Sequence, residues 1–474
     1  MKDAYESPFG ERYATKEMQY IFSQENKFRT WRRLWIALAE TEKELGVEIS
    51  NEQIEEMRRY ESDINYDVAA AFEKKLKHDV MAHIHAFGEQ AKKARPVIHL
   101  GATSCYVTDN ADIIIMKAAL SVIRGKLLTV MRNLTDFALK YKGLPTLGFT
   151  HFQPAQFTTV GKRASLWLYD VYLDFVEVKK REDGLKLRGA KGATGTQMSF
   201  LYLFDGDKDK VDELDKTVVK KMGFDEAFPV TGQTYTRKVD FYVLSALSGI
   251  AQSAHKFAND IRLLQNLKEI EEPFEKSQVG SSAMAYKRNP MRCERMTGLA
   301  RYIMTAALNP AFTAAEQWLE RTLDDSANRR VAVAEMFLAA DGLLNVFIDV
   351  TDGLVVNKSV IERHVREEAP FAATEAILME CVKAGGDRQN LHEKIRAHCM
   401  AAAEEIKRRG TPNDLIERIK NDEAFAAVRG GIDDMIDAQA FTGRAEEQTE
   451  RFAGFIRDTL LSGEGGRVKS ELNV

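Results

Sequence analysis

The stretch Gly280-Ser281-Ser282-Ala283-Met284-Ala285-Tyr286-Lys287-Arg288-Asn289-Pro290 gathers reactive and polar groups where a helix is disfavoured. Successive backbone N–H groups in such a loop can form an anion-binding nest, and Lys287 and Arg288 add positive charge. A solvated inter-helix loop has the same composition. The stretch Gly148–Gln156 sets His151 among amides and hydroxyls directly before a helical segment, which suits either a proton-transfer site or an N-cap loop with a satisfied imidazole. Lys77-His78-Asp79 is followed by His83 and His85; positions i and i+2 face apart on a helix, so the spacing argues against metal and for structural or substrate-orienting imidazoles. Thr103 and Ser104 offer hydroxyls to a carboxylate or a simple helix cap. In Glu320–Arg330, Arg321, Ser326 and Arg330 supply two planar donor forks and a hydroxyl, and Ser326 and Arg330 share a helix face; a phosphate site and a solvated charged face both fit.

Long helices must position these groups. Ile113, Met116, Leu120, Ile123, Leu127, Val130, Leu134 and Phe137 alternate spacings of three and four, as do Val243, Leu247, Ile250, Ala254, Phe257, Ile261 and Leu264. That is the seam of left-handed helix packing. Val160, Ala164, Trp167, Val171, Phe175 and Val178 mark a further stripe, and Ala332–Val350 is apolar around most of its circumference. The pattern predicts an all-α protein of three helical domains: an N-terminal one over 1–104, a central bundle of four or five long helices over 105–355, and a C-terminal one over 356–474. Shorter amphipathic helices are expected at Lys27–Leu45 and Asn51–Arg59. Surplus apolar stripes invite a neighbouring subunit. The Gly-rich residues 462–467 are expected to be loose.

Composition narrows the partners. Of 474 residues, 67 are Lys or Arg and 71 Asp or Glu, so no basic excess marks a nucleic-acid binder. Met1–Gln19 has no apolar core of a secretory signal, and no uninterrupted apolar run approaches a membrane span. Cys105, Cys293, Cys381 and Cys399 lie far apart, with no C-x-x-C pair, which speaks against zinc and disulfides. A cytoplasmic protein is the simplest expectation.

Taken together, these segments resemble the fumarase/aspartase superfamily and, within it, the adenylosuccinate lyase family of the long type also found in animals. The Gly280–Pro290 loop is similar to the superfamily pattern Gly-Ser-Ser-x-Met-Pro-x-Lys-x-Asn. His151 in its Thr-His-Phe-Gln-Pro context, His78, Gly101–Ser104, Thr231–Lys238 and Gln317–Arg330 occur in the family's order, over nearly the whole chain. Ala285 replaces the usual Pro of the loop, and Lys77 replaces an Arg common in relatives.

The resemblance implies a β-elimination: adenylosuccinate to AMP and fumarate, and the succinylcarboxamide ribotide SAICAR to AICAR and fumarate, in purine biosynthesis. It assigns Ser281 as base and His151 as acid, with Lys287 and His78 assisting. Lys77, His78, Asp79, Thr103, Ser104, Gln233 and Asn289 would contact substrate; Arg12, Tyr13, Arg295, Arg321, Ser326 and Arg330 would hold the nucleotide and its phosphate. It calls for no metal or organic cofactor, no nucleic acid and no membrane, and for a homotetramer whose sites draw on several chains. The competing readings are a sister lyase or cycloisomerase sharing only the loop, and a non-catalytic helical scaffold. A Ser-His hydrolase lacks its G-x-S-x-G elbow.

Overall fold

The computed structural model describes residues 4–275, 278–463 and 468; residues 464–467 of the expected loose tail lie outside them. Helices α1 (Lys16–Ile21), α2 (Gln24–Glu44), α3 (Asn51–Arg59), α4 (Tyr66–Leu76) and α5 (Asp79–Gln90) lead into α6 (Ser104–Lys140). A hairpin of β1 (Pro145–Thr150) and β2 (Gln153–Thr159) precedes α7 (Val160–Asp183), α8 (Met198–Leu203), α9 (Lys208–Lys221) and α10 (Lys238–Asn266). The short β3 (Ile270–Glu271) is followed by α11 (Met291–Ala306), α12 (Leu308–Ala315) and α13 (Asp324–Asp352), and β4 (Val355–Val356) pairs antiparallel with β3. Helices α14 (Lys358–Lys383), α15 (Arg388–Arg409), α16 (Leu415–Asn421) and α17 (Ala445–Ile456) complete the described order.

The expected seams form the core. Every residue in the Ile113–Phe137, Val160–Val178 and Val243–Leu264 stripes is buried, and α6, α7, α10, α11 and α13 make the central bundle. Polar residues start the helices where the backbone leaves donors unpaired: the Ser50 side chain accepts from the Gln53 amide while the Gln53 side chain answers the Ser50 amide, and Thr159 accepts from the Lys162 amide at 3.0 Å. Helix α13 is long and apolar enough to cross a membrane, but it is mostly buried among its neighbours. One apolar core runs without a break from the N-terminal helices through the bundle; a second, built from Ala373, Ile377, Leu391, Ile395, Leu415, Ile419 and Phe425, lies in the C-terminal helices.

Direction matters for function. Arg237 meets Asp109 and Asp325 near the starts of α10, α6 and α13, so these three helices run the same way. Deeper in the bundle, Lys126 of α6 forms a buried ion pair with Asp341 of α13 and donates to Asn345 Oδ1 at 2.7 Å. Asp341 also accepts from the backbone and hydroxyl of Thr15, at 2.7 and 2.9 Å, which ties the N-terminal arm to the bundle.

His83 stacks on Phe28 with 3.7 Å between ring centroids, and His99 Nδ1 accepts from Trp35 Nε1 at 2.8 Å. His83 is thus packed as core. Burial pushes both imidazoles down to about 4, with Arg32 adding to the effect at His83 and His78 at His99. Unfolded imidazoles bind protons near pH 6.5, these only near 4, so the stability they give at neutral pH is lost as pH falls from 6.5 toward 4, by roughly 3 kcal/mol for His83. The urea midpoint should fall across that window, and His83→Phe should flatten the slope; an unchanged slope would contradict the assignment.

Candidate functional site

Two groups of candidate residues sit at opposite ends of the bundle. At the first end, His78 caps α5, its Nδ1 accepting from the Met81 amide at 3.3 Å. That role assigns the proton to Nε2, which lies 3.3 Å from Ser104 Oγ at the start of α6. Lys77 adopts the left-handed conformation that ends α4, turning the chain into His78-Asp79. Arg330 approaches Asp79 at 3.7 Å. Gly101 also has positive φ, and a Cβ there would meet Phe200 at 2.9 Å, so the turn before Thr103 and Ser104 requires glycine.

Arg321 and Gln233 face this group. Arg321 Nη1 donates to Gln233 Oε1 at 2.9 Å and sits 2.7 Å from Cys105 Sγ. The Gln233 backbone carbonyl is held in turn by Arg188 Nε at 2.7 Å. A cavity of about 550 Å³ is lined by Ala193, Gln233, Trp318–Leu323. Ser326 is the third residue of α13, in its first turn.

Behind the cavity is an ionic network that the sequence did not reveal. Asp109 accepts from Arg237 Nη1 and Nη2, each at 3.1 Å, and from the Tyr235 amide at 3.0 Å. Arg237 Nε donates to Asp325 at 2.7 Å; Arg329 bridges Asp240 at 2.6 Å and Asp112 at 2.9 Å. Burial alone would push the Asp109 carboxyl up, but Arg237 and Arg329 overcome it and hold it below the usual carboxylate range. The charge run Glu320–Arg330 is therefore only partly a solvated face: Asp325 and Arg329 point inward.

At the other end, about 40 Å away along the rise of α10, lies the loop of Ser281. Ser281 Oγ accepts from the amides of Met284 at 3.1 Å and Ala283 at 3.4 Å. Asn289 Nδ2 donates to the Gly280 carbonyl at 2.9 Å, clasping the loop, and a Cβ on Gly280 would overlap the Lys287 carbonyl. The Lys287 side chain is exposed. Arg295 sits one turn into α11, beyond this loop.

His151 stands at the exposed tip of the β1–β2 hairpin. Of the two readings of this stretch, the N-cap loop does not hold: the segment pairs as two strands, and His151 and Phe152 both take positive φ, +54° and +56°, as a two-residue hairpin turn demands. His78 precedes α6 and His151 follows it, so the roughly 55 Å length of that helix keeps them apart within one chain. Arg12 and Tyr13 lie in a short helical turn against the middle of α13, where Gly342 leaves room for Tyr13.

Comparison with known proteins gives a consistent picture. The family described as lyase matches residues 14–305, and the one described as adenylosuccinate lyase C-terminus matches residues 370–452. Adenylosuccinate lyase of Saccharomyces cerevisiae is 51% identical over 453 residues, covering 95% of this chain and 94% of that protein. The Schistosoma mansoni adenylosuccinate lyase is 46% identical over 452 residues, with the same coverage of both chains. Among solved structures, β-carboxy-cis,cis-muconate cycloisomerase from Acinetobacter calcoaceticus superposes with a TM-score of 0.80 at 18% identity, covering 95% of this chain and all of that one. A fumarate lyase from Mesorhizobium gives 0.80 at 19% identity, over 95% and 99% of the two chains. These two share the fold.

Proposed function

Since the chain belongs to the adenylosuccinate lyase family and is a C–N lyase acting on adenylosuccinate in purine biosynthesis, we propose that Ser281 is its base and His151 its acid. The proton removed lies on the carbon next to a succinyl carboxylate. Ser281 Oγ takes that proton, the electron pair passes into the carboxylate as an aci-anion and returns to form the double bond of fumarate, and the C–N bond breaks. His151 protonates the departing nitrogen of AMP. The observation that carries this reading is the pair of amide N–H groups aimed at Ser281 Oγ, because they lower the cost of an alkoxide there.

The remaining contacts follow the same logic. Lys287, Thr103, Ser104, Gln233 and Asn289 hold the succinyl carboxylates; Asn289 does so after or while clasping Gly280. His78 is oriented by Met81 and Ser104 toward the substrate, flanked by Lys77 and Asp79. Arg12, Tyr13, Arg295, Arg321, Ser326 and Arg330 take the nucleotide and its phosphate, where Arg forks match the oxygen geometry. SAICAR carries the same succinylamino group beside a ribose phosphate and is the second substrate.

A single chain cannot assemble this set, because the Arg321 and Ser281 groups occupy opposite ends of the bundle. Leu166, Tyr169, Leu173 and Val176 of α7 form an exposed stripe at spacings of three and four, each close to half accessible. Such a seam is covered by a neighbouring helix in a homotetramer, which brings opposite ends of different chains together. We propose domain borders near 104 and 355, in keeping with the start of α6 and the short β3–β4 ladder, and a cytoplasmic location for the reaction. The testing experiment is an absorbance assay on adenylosuccinate and SAICAR with the mass in solution measured on the same sample. Turnover of SAICAR by a tetramer is expected; a fully active monomer would refute the shared site.

A further inference from the structure

The arginines around the first-end cavity differ in what holds them. Arg237 is tied to Asp109 and Asp325, Arg329 to Asp240 and Asp112, and Arg330 approaches Asp79. Each meets a carboxylate that offsets its charge. Arg321 instead rests on two neutral acceptors, the Cys105 sulfur and the Gln233 amide oxygen. Its Nε is buried and has no partner among the described residues.

We infer that Cys105 is a positioning residue for Arg321, fixing the guanidinium through a neutral acceptor so that its full charge remains for the substrate anion. The inference rests on the reading that Arg321 binds that anion. Cys105 is the second residue of α6 and almost fully buried, so the rigid helix start sets the sulfur's place. Burial, reinforced by Asp109, pushes the thiol up to about 11, which keeps it uncharged at the pH of the reaction. A carboxylate in its place would anchor the arginine as firmly but would compete with the substrate for it. Gln233 Oε1 accepts from the same Nη1 beside the sulfur, and the cavity is lined by Gln233 and Arg321.

The test compares steady-state kinetics of the intact enzyme with Cys105→Ala, Cys105→Ser and Arg321→Lys, and with Cys105→Ala combined with Arg321→Lys. Loss of one hydrogen bond to a charged group should raise KM of Cys105→Ala about tenfold while kcat falls no more than about twofold. Cys105→Ser keeps an acceptor and should restore KM to within about twofold of the parent. In the Arg321→Lys background, Cys105→Ala should add little, because the partner is already gone. Equal KM for Cys105→Ala and the parent, equal damage from Ala and Ser, or an undiminished Cys105→Ala effect in the lysine background would each overturn the inference. If Arg321→Lys itself leaves KM unchanged, the anion-binding reading of Arg321 fails instead. Thermal midpoints of all variants separate a folding defect from a kinetic one.

Discussion

Ser281→Ala is expected to lower kcat by at least about a thousandfold while leaving assembly and helix content unchanged. The hydroxyl is partly buried in a loop outside the apolar core, and its removal deletes no core contact. On the proposed role, what is lost is the atom that accepts the substrate proton. The amides of Ala283 and Met284 lose an acceptor that solvent can replace, so the cost falls on turnover rather than on stability. The comparison with Ser282→Ala is decisive, since Ser282 is exposed and accepts from neither amide: that variant should retain most activity. The check is single-turnover fumarate release followed by absorbance, together with the solution mass. Near-parental rates for Ser281→Ala, or equal losses for the two serines, would remove Ser281 from the role of base.

Asp109→Ala should destabilise the protein by about 3–5 kcal/mol, because it strands the charge of Arg237 in the core with only Asp325 left to meet it. It also strips the Tyr235 amide of its acceptor. Asp109→Asn should cost less, since the amide oxygen still accepts one of those bonds. The urea midpoint is expected to fall in the order parent, Asn, Ala; a reversed order or a negligible shift would show that the network is not an anchor. The pH dependence follows from the depressed carboxyl. Its contribution is fully present above the unfolded value near 3.9 and disappears as pH drops through the lower folded value. The tie between Asp109 and the Tyr235 backbone also shapes the turn that presents Gln233, so KM is expected to rise alongside the stability loss.

Much of the architecture could be read from spacing alone. Ile113–Phe137 and Val243–Leu264 repeat at threes and fours, and all of those residues are buried in α6 and α10. The hairpin carrying His151 escaped because its turn is His151-Phe152 rather than an Asn-Gly pair, and the positive φ values it needs leave no mark in those residue types. The ionic network escaped for a different reason. Asp109, Arg237, Asp240, Asp325 and Arg329 come from three helices, and their complementarity exists only once α6, α10 and α13 run the same way. Cys105 looked inert because sequence considerations of cysteine ask about metals and disulfides, not about a thiol as a neutral rest for an arginine. The candidate residues themselves were found by motif, yet their division between two ends of the bundle was visible only in three dimensions.

That division has a consequence for mixed populations of subunits. A chain carrying Ser281→Ala still has an intact Arg321 end, and a chain carrying Arg321→Ala still has an intact Ser281 end. In the proposed tetramer with shared sites, each variant alone would form an assembly in which every pocket is missing one piece. When equal amounts are unfolded and refolded together, random association gives about a quarter of the pockets one sound piece from each parent. Two inactive proteins would then yield an active mixture. The same combinatorics means that a cell holding two different damaged copies of the gene can recover function when the lesions fall at opposite ends, and cannot when they fall at the same end.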